Sequence, residues 1–217
     1  MPLDAQPGVS GLFQTPAQAA ACCIIAHGAG AGMTHPFLEQ TAAGLCGRAI
    51  AALRYQFPYM EKRSGRPDPP AIAHKAVRAA VAMASSLAPG LPLFAGGKSF
   101  GGRMTSQAQA LGPLPGVKGL IFLGFPLHPP GKPSTERGGH LADISIPMLF
   151  LQGDHDEFAE LSLLYSVIER LGKLATLHLV PHANHSFHVP ARSGRTDAQV
   201  LSELLDVTTD WIRRIIA

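Results

Sequence analysis

The chain has 217 residues, of which 46% are hydrophobic and 15% charged, and its formal net charge is +3. That composition excludes a disordered chain, and the scattered basic residues exclude a nucleic-acid-binding arm. One domain with a substantial core is expected at this length, with residues 1–20 as an edge strand or a loose arm.

Ala21 to Ala26 is a short apolar run that ends at His27-Gly28-Ala29-Gly30-Ala31-Gly32. Bounded by glycines, it reads as a strand buried on both faces of a parallel sheet. Thr34 and Pro36 read as helix-start residues ahead of Phe37 to Leu45, and Arg48 to Arg54 as a second strand. The Pro-rich stretch from Tyr55 to Pro70 is too long for a mere connection. Ile72, Ala76, Val77, Ala80, Val81, Ala84 and Leu87 share one helical face, which Pro89-Gly90 ends.

The apolar run Leu91 to Ala95 then leads into Gly96-Gly97-Lys98-Ser99-Phe100-Gly101-Gly102, followed by a helix to about Leu111. Gly97 to Gly101 fits G-x-S-x-G, a sharp strand-to-helix turn that lifts a serine hydroxyl above the sheet edge. The flanking positions must lack side chains so that helix and strands approach closely. A P-loop is rejected, because G-x-x-x-x-G-K-S needs glycine at position 92, which is Pro92.

Val117 to Leu123 is another strand, Gly124 to Leu141 is irregular, and Ile146 to Gln152 is a strand again. Apolar residues from Phe158 to Leu171 mark a helix closed by Gly172, and Leu174 to Val180 makes the last strand. Thr196 to Gln199 is a capping-box pattern that opens the final helix. Strands alternating with helices imply a mostly parallel sheet covered on both faces, with the site beyond the carboxyl ends of the strands.

Every chemically interesting residue falls on that rim. A serine needs a base, and the base needs an orienting acid. Behind Ser99 come Gly153-Asp154-His155-Asp156 and then Pro181-His182-Ala183-Asn184-His185-Ser186-Phe187-His188, each after a strand. Asp156 is preferred to Asp154 as the acid, since the turn from Gly153 carries it back over the rim. His185 is preferred to His182 and His188 as the base, which spacing alone separates poorly. The N–H groups of Phe100 and Ala29 are expected to form the oxyanion hole, with His27 ordering the loop. A metal site built from His178, His182, His185, His188, Asp154 and Asp156 lacks a ligand motif and leaves the Ser99 turn unexplained. No metal or cofactor is expected, and the expected partner is a small-molecule substrate, with neither nucleic acid nor membrane.

The start Met1-Pro2-Leu3-Asp4 lacks the basic flank and apolar core of a signal peptide. No apolar run approaches the ~20 residues of a membrane span. Cys22, Cys23 and Cys46 give no disulfide framework, so reduced thiols and a cytoplasmic location are expected.

Taken together, these stretches resemble the α/β-hydrolase-fold family, in the branch of small bacterial hydrolases related to dienelactone hydrolases and grouped with the NSL-complex subunit and testis-expressed hydrolase-like proteins. The resemblance rests on His27 to Met33 with His35-Pro36-Phe37; on Arg54 with Phe57 to Glu61 and Pro67-Asp68; and on Gly97 to Met104. It rests equally on Gly124 to Pro133; on Leu151-Gln152-Gly153 with Asp156 and Phe158; and on His185-Ser186-Phe187. It implies an α/β-hydrolase fold and a triad of Ser99, Asp156 and His185. Asp154-His155 departs from the pattern, in which non-acidic residues precede the acid.

The segment from Gly124 to Leu141 is too short for a cap domain, so an open site for small acyl groups is expected. Lys62, Arg63, Arg66 and Arg103 would tilt it toward an anionic substrate, unless they form only a solvated basic surface. The contrasting expectation is a binding or scaffold protein that keeps the fold without turnover.

Overall fold

The computed structural model describes residues 9–217. Seven strands form one sheet in the order β1-β3-β2-β4-β5-β6-β7. They are β1 (Gly11–Gln14), β2 (Ala21–Ala26), β3 (Ile50–Tyr55), β4 (Leu93–Lys98), β5 (Val117–Leu123), β6 (Met148–Gly153) and β7 (Ala175–Val180). All neighbours pair in parallel except β1, which runs antiparallel to β3 with Gly11 opposite Tyr55. Part of the stretch 1–20 is therefore an edge strand; residues 1–8 lie outside the described residues.

The apolar run of β2 divides by the two-residue period of a strand. Cys22, Ile24 and Ala26 lie on the sheet face that α3 (Pro70–Leu87), α4 (Phe100–Leu111) and α5 (Leu161–Leu171) cover, whereas Cys23 and Ile25 lie on the face that α1 (Pro36–Cys46) and α6 (Asp197–Ile216) cover. A strand buried on both sides has no polar alternation to show, which is why the run is continuous. The capping box of α6 is formed on both sides, between Thr196 and Gln199.

Several boundaries differ from the sequence-based expectation, each for a local reason. Arg48 lies outside β3, because Ala49 turns with φ 63° and the guanidinium pairs with Asp206 at 2.7 Å. In α3 the buried stripe is Ala73, Ala76, Val77, Ala80, Val81 and Ala84, leaving Ile72 and Leu87 exposed. The expected stripe started one residue early at Ile72 and ran on to Leu87, past the last buried turn. β4 continues past Ala95 through both glycines to Lys98. α5 starts at Leu161, three residues beyond Phe158, and its Tyr165 is exposed. The Pro-rich stretch holds a single helical turn, α2 (Pro58–Glu61), pinned by Asp68 accepting from the Tyr59 amide at 2.8 Å.

Between β5 and β6 the chain forms only an irregular segment and a 3-10 helix, Glu136–Asp143, so no cap covers the rim among the described residues. Successive strands leave β2 toward opposite sides: β3 lies on one flank and β4 on the other. The loops after β2 and β4 therefore diverge, and a crevice opens at that reversal of strand order. No helix among the described residues is long and apolar enough to cross a membrane.

Candidate active site

Ser99 stands between the end of β4 and the start of α4 with φ 49° and ψ −115°. A non-glycine residue with positive φ is strained, so the surroundings must hold it there. The flanking glycines explain how. A Cβ at Gly97 would lie 2.2 Å from the Ala26 carbonyl oxygen, and one at Gly101 would lie 2.5 Å from that of His27. Either side chain would push α4 and β4 away from β2 and relax the turn.

His185 reaches this hydroxyl from the β7–α6 loop. Its Nε2 lies 2.8 Å from Ser99 Oγ, and its Nδ1 lies 2.7 Å from Asp156 Oδ2. A carboxylate can only accept, so Nδ1 carries the proton and Nε2 is left as an acceptor for the serine. The ring packs against Phe158, with centroids 4.2 Å apart. Burial holds the imidazole pKa below its ordinary 6.5; the hydrogen bond to Asp156 raises it and the charge on Lys98 lowers it. His185 is thus neutral at neutral pH, as a base must be.

The Asp156 side chain is fully buried, and three donors hold its carboxylate. Besides His185, the Phe158 amide donates to Oδ1 at 2.8 Å and Gln152 Nε2 to Oδ2 at 2.5 Å. Gln152 is itself fixed, since its Oε1 accepts from the Phe125 amide at 2.8 Å. Asp154 is engaged differently, with its carboxylate 2.7 Å from the exposed ring of its neighbour His155. The acid and histidine loops also lock together directly. His155 donates its amide to Ala183, and a Cβ at Gly153 would lie 2.2 Å from the same carbonyl oxygen.

The loop after β2 is held from behind. His27 Nδ1 donates to the Gly28 carbonyl at 2.8 Å, and its Nε2 accepts from the Phe57 amide at 3.0 Å. Tyr59 Oη lies 3.2 Å from the Gly28 carbonyl oxygen and 2.9 Å from that of Ala29. The long Pro-rich stretch thereby acquires a purpose: it presents Tyr59 to the Gly-rich turn.

The loops enclose a cleft of about 410 Å³ lined by Gly28, Ala31, Phe37, Leu38, Lys98 and Phe158 around Ser99 and His185. Lys62, Arg63, Arg66 and Arg103 are not among the residues that line it. Lys62 and Arg66 border a separate depression with Tyr59 and Asp68, Arg63 is exposed, and Arg103 lies beside Arg137. The expected bias toward anions therefore finds no support from those four residues. The alternative histidine constellation is also dispersed. His178 pairs with Glu203, His188 with Asp197, and His182 is exposed. No cluster that could hold a metal ion occurs among the described residues.

A family model described as an α/β-hydrolase domain matches residues 19–213. The chain belongs to the α/β-hydrolase family. Solved α/β-hydrolase structures share its fold at low identity. A dienelactone hydrolase from Anabaena variabilis superposes with a TM-score of 0.77 at 19% identity, covering 96% of this chain and 93% of the other. An α/β serine hydrolase without a lid from Xanthomonas campestris gives 0.73 at 22%, covering 94% and 95%. Est1E from Butyrivibrio proteoclasticus, solved with ferulic acid bound, gives 0.71 at 16%, covering 94% and 96%.

Several residues of this α/β-hydrolase site escaped the sequence. Phe158 reads there as the first apolar residue of a helix, Gln152 as a strand end, and Tyr59 as part of an unplaced loop. Lys98 reads as the variable position of G-x-S-x-G and as the lysine of the rejected P-loop match. The stretches that carry the family resemblance include Gln152, Phe158 and Tyr59, but give none of them a role at the site.

Proposed function

We propose that this protein is a serine hydrolase that cleaves a small carboxyl ester, thioester or lactone through an acyl-enzyme. The observation that carries the reading is the unbroken chain of hydrogen bonds from Ser99 through His185 to a buried, fully engaged Asp156. Ser99 Oγ attacks the carbonyl carbon as its proton passes to His185 Nε2. The imidazolium then protonates the leaving group, and in the second half-reaction the neutral ring activates water against the acyl-serine. Asp156 keeps the Nδ1 proton in place throughout.

The oxyanion falls to the amides of Phe100 and Ala29. Phe100 is the first residue of α4, so its N–H lies outside the helical ladder at the positive end of the helix dipole. For Ala29 the argument is one of planarity. In a trans peptide the C=O and N–H point opposite ways. His27 and Tyr59 hold the Gly28 carbonyl on the protein side, which turns the Ala29 N–H toward the cleft. Tyr59→Phe keeps the ring and removes the hydroxyl. It is expected to lower kcat about tenfold with KM little changed in steady-state kinetics, less than the 10²–10³ roughly lost with an oxyanion donor itself. An unchanged kcat would mean that the turn holds its shape without Tyr59.

An uncapped cleft walled by Phe37, Leu38 and Phe158 suits small or surface-presented acyl groups. The dienelactone hydrolase and the ferulic-acid-bound Est1E among the structures of similar fold are consistent with the same class of substrate. The test is covalent. A fluorophosphonate probe should label the wild type at Ser99, identified by peptide mass spectrometry, and should not label Ser99→Ala or His185→Ala. Equal labelling of all three, or of none, favours a binding protein that retains the fold without turnover.

A further inference from the structure

Lys98 is the one side chain at the centre of this site for which the mechanism above has no use. It ends β4, beside Ser99, on the sheet face where the histidine loop crosses. Its ammonium donates to the backbone carbonyl of His185. It also lies 5.2 Å from the centre of the Phe187 ring, a cation held over an aromatic face. Phe187 itself has φ 62°, a costly conformation for a bulky residue, and stacks on Phe37 at 5.9 Å.

Gly124 marks how closely this lysine is fitted. A Cβ there would lie 2.8 Å from Lys98 Nζ and 3.4 Å from His185 Nδ1. The ammonium and the proton-bearing imidazole nitrogen thus flank a single point above the end of β5. A side chain at 124 would displace one or the other.

We propose that Lys98 is a positioning residue for His185: it ties the histidine loop to the strand that presents Ser99 and sets a positive charge beneath the His185–Asp156 pair. This rests on the serine-hydrolase reading for its consequence, though not for its geometry. The tie joins base and nucleophile through one side chain, so their 2.8 Å separation is fixed by neighbours in sequence. The charge opposes a second cation on the imidazole. The charged groups acting on His185 are Asp156 and Glu157 from the β6–α5 loop and Lys98 from β4, and His35 of the β2–α1 loop also borders the cleft.

Lys98 is itself brought down to about 8 by burial, against the opposing pull of Asp156. Its charge and part of its hold on the loop therefore fade just above neutrality. The pH profile of kcat/KM should have an acid limb below 6.5, where His185 protonates, and an alkaline limb near 8, where Lys98 deprotonates.

The experiment compares Lys98→Met and Lys98→Gln, two ways to remove the charge, with Lys98→Arg, which keeps it. Two readouts are taken: the pH profile on a p-nitrophenyl ester, and the His185 imidazole titration followed by NMR in a Ser99→Ala background, which needs no turnover. Removing the charge should raise the His185 titration by about one pH unit. It should also abolish the alkaline limb and lower kcat about tenfold or more, with KM little changed. Lys98→Arg should restore the imidazole titration. An imidazole that titrates within about 0.3 unit of wild type in whichever charge-free variant folds would reduce Lys98 to packing and overturn the proposal. A wild type that hydrolyses nothing, yet shows the NMR shift, would defeat the hydrolase reading and leave the coupling standing.

Discussion

Asp156→Ala is expected to lower kcat by about 10⁴-fold and Ser99→Ala by on the order of 10⁶, whereas Asp154→Ala should cost less than about threefold. The two aspartates stand two residues apart in one turn, so this comparison tests geometry rather than composition. Asp156 meets only donors: the His185 ring, the Gln152 amide and the Phe158 backbone. Its removal releases the imidazole to turn over or change tautomer, and it leaves buried donors without an acceptor. Stability should fall with activity for that reason, and a folded fraction measured by near-UV circular dichroism must accompany the kinetics. Asp154 contacts an exposed His155 on the solvent side, where an ion pair contributes little. A large loss of kcat in folded Asp154→Ala, with Asp156→Ala near wild type, would reassign the acid and with it the path of the proton.

The reason one aspartate is buried and the other is not could be read only in part from the chain. The turn from Gly153 shows that the loop doubles back, and it does so because Gly153 admits the Ala183 carbonyl where a side chain would stand. What the chain does not show is which residues close over the carboxylate. Gln152 faces Asp156 because β6 ends at Gly153 and the pleat sends the preceding side chain under the loop. Phe158 turns toward His185 because α5 starts three residues later than its apolar pattern suggests. Both depend on the packing of distant loops, and periodicity within a segment carries no information about that.

The same division holds for the fold. Continuous apolar runs bounded by glycine marked the buried parallel strands, since such strands leave little room for polar alternation. Helix stripes were read correctly where small residues dominate, as in Ala76 to Ala84, and missed at the end, where Ala73 is buried in place of Ile72 and the large side chains of Ile72 and Leu87 reach solvent. The Ser99 turn was legible because its glycine spacing reflects steric exclusion at the level of the backbone. Tyr59 and Lys98 were not, because their partners are main-chain carbonyls far away in the chain, and any side chain of suitable length could have made such bonds.

Steric exclusion also gives the sharpest stability prediction. Gly96→Ala should destabilise the fold by more than about 4 kcal/mol, or prevent its accumulation altogether. The added Cβ would fall 1.8 Å from the Ile121 carbonyl oxygen, with the Ile121 carbon and nitrogen also within 3 Å. These are main-chain atoms of β5, the neighbouring central strand, held in register with Gly96 on one side and with Leu149 on the other. They have no rotamer to change, so relief requires β4 and β5 to part. That separation would also move Ser99, whose amide donates to the Leu123 carbonyl at 3.1 Å, and Lys98, which lies opposite Leu123. Gly139→Ala is the matched control: at this exposed position of the 3-10 helix, no atom lies within 4 Å of the point its methyl group would occupy. It should stabilise by about 0.5 kcal/mol through the unfolded chain alone. Urea denaturation of both variants reads the contrast directly, and a loss below about 1 kcal/mol for Gly96→Ala would mean that the central sheet yields locally. In that event the elbow's position could not be set by the spacing of β4 and β5, and the hold on Ser99 would have to come from the helix side, through Gly101 against β2.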